Sequence, residues 1–102
     1  WKAVDSYGYE IYKDYSDTIY ASIHRYDKYD TQMGLNNWNP SRKYLGTEFN
    51  ISVRKVEHIQ TEFGEIHVEF AFWRNFDDLE EAIRTCDRVA EFFNKHTFYE
   101  VK

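Results

Sequence analysis

Two segments, Phe49–Gln60 and Glu65–Trp73, alternate apolar and polar side chains with a period of two. That pattern constrains the chain more than any other, because it describes strands of a sheet covered on one face only. Ile51, Val53, Ile59, Ile66, Val68, Phe70 and Phe72 fall on one side, and Arg54, His58, Gln60, His67, Glu69 and Trp73 on the other. With Phe63-Gly64 read as a two-residue turn, Gln60 faces His67, His58 faces Glu69 and Arg54 faces Trp73. A three-residue turn needs a bulge to keep the same faces, and Gly64 suits either because it tolerates positive φ.

An amphipathic helix follows. Phe76, Leu79, Ala82, Ile83, Cys86, Val89, Ala90 and Phe93 form one stripe at helical spacing. Asn75 or Asp77 is placed to cap its start. Asp77, Asp78, Glu80 and Glu81 complement the dipole there. His96 and Thr97 mark its end, and Phe98–Val101 has the composition of a short edge strand. Upstream, residues 7–13 and 17–26 read as a first hairpin, with Ile19, Ala21 and Ile23 inward and Tyr20, Ser22 and His24 outward. The expected fold is therefore one α+β domain over 1–102. It is a mostly antiparallel four-stranded sheet, made of two hairpins, with one C-terminal amphipathic helix on its apolar face.

Residues 28–47 break the pattern. They hold the only proline and read as a long irregular loop, a length that in so small a domain is usually functional, disordered or hiding a short element. The segment has three basic residues against one acidic, while the whole chain is acidic at −5. It also presents Tyr29, Trp38, Arg42, Lys43 and Tyr44, residue types enriched where proteins bind one another. The competing reading is that Trp38 and Leu45 only pin the loop to the domain.

The open side of the sheet is the other candidate surface, with Tyr20, Arg54 and Trp73 as its anchors. Ordinary solvated sheet, a protein-facing wall, a homodimer face and a base-stacking platform are the readings it allows. The acidic balance weighs against nucleic acid, whose binders meet phosphates with basic side chains. For metal, His24, His58, His67 and Glu69 are suitable ligand types without any signature spacing, so no metal or other cofactor is expected. Catalysis has the poorest support: Cys86 lies on the apolar stripe, the serines have no motif around them, and no phosphate-cradling loop exists.

One cysteine excludes an internal disulfide and suits a reducing, cytoplasmic setting. No apolar run approaches membrane-spanning length. The function expected is a small acidic protein-interaction module: an inhibitor, an immunity- or antitoxin-like protein, or an assembly subunit. It would occlude a partner protein that bears a basic surface, or form a homodimer. The alternative is a single-stranded nucleic-acid binder using the sheet-face aromatics and the basic loop.

Overall fold

The computed structural model describes residues 1–4, 9–30 and 43–96. Its strands are β1 (Lys2–Ala3), β2 (Glu10–Asp14), β3 (Ile19–Asp30), β4 (Lys43–Thr61) and β5 (Gly64–Phe76), and they are followed by the helix α1 (Leu79–Lys95). The sheet has five strands in the order β1-β2-β3-β4-β5, each antiparallel to its neighbour. The chain is thus α+β, with one strand more than its sequence pattern reveals. The extra strand, β1, is two residues long and pairs Lys2 with Tyr12 and Ala3 with Ile11, too short to carry any periodicity.

The long loop also contracts. Residues 28–30 and 43–47 belong to β3 and β4, so only 31–42 separate the two strands, and these, with Trp38 and Arg42, lie outside the described residues. Apolar alternation fails there because pairing rests on polar and aromatic contacts. Lys28 reaches Glu48 at 3.2 Å, Thr47 Oγ1 donates to Asp27 at 2.8 Å, and Tyr29 meets Tyr44 edge to face at 5.8 Å.

Odd-numbered positions of β3 and β4 face the helix. Ile23 pairs with Ile51 and Ala21 with Val53, and Val53 pairs in turn with Phe72 of β5. These residues close the core with Ala82, Cys86, Ala90 and Phe93 of α1. Ala21, Ala82, Cys86 and Ala90 are small, so the helix backbone settles close to the sheet above them. Phe76 is buried as expected, but as the last residue of β5 opposite Phe49 rather than as part of the helix. The cap falls at Asp78, whose carboxylate accepts from the Glu81 amide at 3.3 Å, instead of at Asn75 or Asp77. His96 ends the helix as its C-cap, and 97–102 lie outside the described residues.

The far end of α1 is held by a strand residue. Lys55 Nζ donates to the carbonyls of Phe93 at 2.8 Å and His96 at 2.6 Å, and lies 3.2 Å from Glu57 Oε1. A cation is favoured where helix carbonyls run out of intrahelical partners. Lys55 and Glu57 occupy odd positions of β4, so two charges interrupt the apolar face where the helix stops.

Candidate interaction surface

The even-numbered positions of β2, β3 and β4 and the odd-numbered positions of β5 form the wall opposite the helix. Tyr20 and Arg54 share this face, as the alternation predicts, and are direct cross-strand partners, while Trp73 sits across from Ser52, one diagonal step from Arg54. The expected direct pairing of Arg54 with Trp73 does not form. Turn residues are Glu62 and Phe63, and Thr61 pairs with Gly64, which slides the hairpin by two positions relative to a Phe63-Gly64 turn. A slip of two preserves every face, so the alternation cannot detect it. No non-glycine residue in the described chain has positive φ, and Gly64 alone, at φ +115, takes up the twist of this turn.

The result is a compact patch. The Arg54 guanidinium lies 6.0 Å from the Trp73 ring, donates to Glu69 at 3.3 Å and bonds Ser52 Oγ at 3.1 Å. Tyr20 donates its hydroxyl to the same Glu69 oxygen at 3.4 Å. Trp73 is 67% exposed and Tyr20 37%, so a large aromatic surface stands in water. Arg54 is held in place by an acid, which limits its use as a phosphate ligand. Among the described residues the wall carries Glu10, Asp14, Glu48, Glu65 and Glu69 against Lys2, Lys28 and Arg54, and Lys28 and Arg54 are paired to glutamates on the wall itself.

Tyr29 and Tyr44 do not join this patch. The register of β3 with β4 shifts between Lys28 and Tyr29, leaving Leu45 unpaired. Beyond the shift Tyr44 falls on the helix side of the sheet and its hydroxyl bonds Thr47 Oγ1. The bulge sits with Gly46 at φ +142. About ten residues of β4 separate Tyr44 from Arg54, roughly 33 Å of strand. Among the described residues, Tyr29 and Tyr44 thus lie on one face and Tyr20, Arg54 and Trp73 on the other. Lys43 opens β4, paired with Asp30.

The metal-type residues also regroup. His58 pairs with His67, not Glu69, and Glu65 takes the carboxylate position between them, with His58 Nδ1 2.9 Å and His67 Nε2 3.5 Å from its oxygens. His24 lies opposite Asn50, about eight residues of β4 from His58 and so roughly 26 Å away. Glu69 is engaged by Arg54 and Tyr20. Glu65 follows the turn glycine, and only the correct register brings it to the histidine pair.

On the helix side, Tyr9, Ile11, Ile23, Arg25, Thr47, Phe49 and Leu79 line a cleft of about 350 Å³ beyond the start of α1. Its guanidinium is spoken for: Arg25 lies 5.7 Å from the Tyr9 ring and 3.3 Å from Asp27. Cys86 is fully buried, and burial, with Asp87 adding to it, pushes its thiol up to about 12, where it is a small hydrophobe rather than a nucleophile. No helix among the described residues is long and apolar enough to cross a membrane.

These observations define an α+β protein with an antiparallel meander, a single helical cover and an open aromatic wall. The chain matches no known protein family, no curated protein and no solved structure, so its function is read from the geometry alone.

Proposed function

We propose that this chain is a protein-binding module whose open sheet wall docks a partner protein carrying a basic surface. The observation that supports it is Trp73, 67% exposed beside Arg54 and Tyr20 on a wall where carboxylates outnumber cations. Tryptophan, tyrosine and arginine dominate the centres of protein interfaces because they bury large areas at low entropic cost. The acidic residues Asp77 and Asp78 ahead of the helix and Glu80, Glu81, Asp87 and Glu91 along it add a long-range field that speeds encounter with a positively charged target. An inhibitor, an immunity- or antitoxin-like protein and an assembly subunit all act in this way, and a nuclease is one target with the required basic surface.

The test is affinity capture from the native cell with the wild-type chain, Trp73→Ala and Arg88→Ala. Arg88 lies exposed on the helix and serves as the control. A partner retained by wild type and Arg88→Ala, and bound at least about tenfold more weakly by Trp73→Ala, supports the reading. Equal retention by all three removes the wall from it. Tight, salt-sensitive binding of short single-stranded oligonucleotides would replace it with the nucleic-acid reading.

A further inference from the structure

We propose that His58, Glu65 and His67 form a three-ligand site for one zinc-class divalent ion. The three side chains stand on the open wall near the tip of the β4–β5 hairpin. His58 and His67 are direct cross-strand partners, and Glu65 lies two residues from His67 on the same strand face. One donor atom from each residue falls within 4.8 Å of the others. The two imidazole ring centroids lie 4.2 Å apart at 67°, and each ring turns one nitrogen toward the Glu65 carboxylate.

The spacing fits a particular coordination. A tetrahedral zinc with bonds of about 2.0–2.1 Å holds its donor atoms about 3.3–3.4 Å apart. The two histidine–glutamate separations, 2.9 and 3.5 Å, run to different oxygens of Glu65, and one donor atom from each residue gives separations that all lie within 4.8 Å. Side-chain rotations that close the widest separation by no more than about 1.5 Å seat the ion, and the ladder from Thr61–Gly64 inward fixes both strands. Without metal, a ring nitrogen donates its hydrogen to Glu65. A tautomer shift moves that hydrogen to the outer nitrogen and turns the inner one into a ligand.

Two imidazoles and one carboxylate select the metal class. Calcium and magnesium require more oxygen donors than this site offers, whereas zinc, nickel and copper accept imidazole. Three protein ligands leave a fourth position, and all three residues are solvent-exposed, so water or a donor from a bound partner completes the sphere. Glu69 does not compete, since Arg54 and Tyr20 hold it one step along the strand.

The experiment is calorimetric titration of the full chain with zinc chloride, alongside visible absorption of the cobalt form and thermal melting. Variants are His58→Ala, His67→Ala and Glu65→Gln, with His24→Ala as the control on a distant part of the wall. The proposal expects one ion per chain, tetrahedral cobalt absorption and a melting temperature raised by several degrees at saturating zinc. Each ligand variant weakens binding at least about tenfold, while His24→Ala leaves it unchanged. Absence of stoichiometric binding overturns the site. So does binding that survives the double variant His58→Ala/His67→Ala, or that falls equally in His24→Ala. The result is independent of partner capture, because it needs only the isolated chain.

Discussion

The β4–β5 hairpin crosses two environments. Beneath α1, Ile51 and Val53 are enclosed, with Phe70 and Phe72 packed against the core. Past Glu57 the same alternation continues, yet burial becomes one-sided: Ile59 stays enclosed while its partner Ile66, on the outermost strand, is 47% exposed. Cover length sets where burial thins out, and the edge position of β5 leaves Ile66 rather than Ile59 in water. A 17-residue helix spans about 25 Å, while 19 residues of β4 extend roughly 63 Å. An apolar face in a sequence therefore says which side a residue takes, and the reach of the cover says whether that side is dry.

Substitution at matched positions tests this most sharply. Ile51→Ala should cost about 2–5 kcal/mol in denaturant unfolding, because it opens a cavity under the helix. Ile66→Ala should cost under about 1 kcal/mol, its side chain being half in water already. Equal losses would mean that the two environments do not differ energetically.

Lys55 stands at the border between them. Lys55→Met keeps the stem but removes the ammonium from two helix carbonyls and from Glu57, with an expected loss of about 1.5–3 kcal/mol by the same measurement. In the projecting half, Gly64→Ala forces a side chain into positive φ and should cost about 1 kcal/mol. Nothing lies within 4 Å of the added carbon, so the effect is conformational strain and not collision.

The smallest effect concerns the fastening of the helix to the first hairpin. Tyr15 donates to Asp87 at 2.6 Å, and its phenol is raised well above its ordinary value, first by burial and then by that hydrogen bond and the Asp87 charge. An unfolded tyrosine ionises near pH 10. Stability from this group is therefore complete below about pH 10 and declines above it, as the unfolded chain releases a proton that the folded chain keeps. Tyr15→Phe should make the alkaline decline in melting temperature shallower while leaving the neutral-pH slope unchanged.

Much of this architecture was legible in particular residues. Ile19, Ala21, Ile23, Ile51 and Val53 announce the covered face, and Ala82, Cys86, Ala90 and Phe93 the helix that covers it. Phe76 misleads because it satisfies the helical stripe and the strand's end equally well. The hairpin slip was invisible because parity is unchanged, and with it the meeting of His58, Glu65 and His67. The unpaired Leu45 was equally silent, yet it turns Tyr44 away from Trp73. Lys55 and Glu57 were a readable signal: two charges in the apolar phase mark where the helix ends. Interface chemistry left only residue types, since recognition depends on which side chains the register brings together.

The order of elements has a consequence for biosynthesis. All five strands precede the helix that shelters them. At translation rates of about 5–20 residues per second, the 17 helical residues arrive on the order of a second or more after β5 is complete. During that interval Ile23, Ile51, Val53 and Phe72 face the cell without a roof, which is when a nascent chain of this design most needs a chaperone.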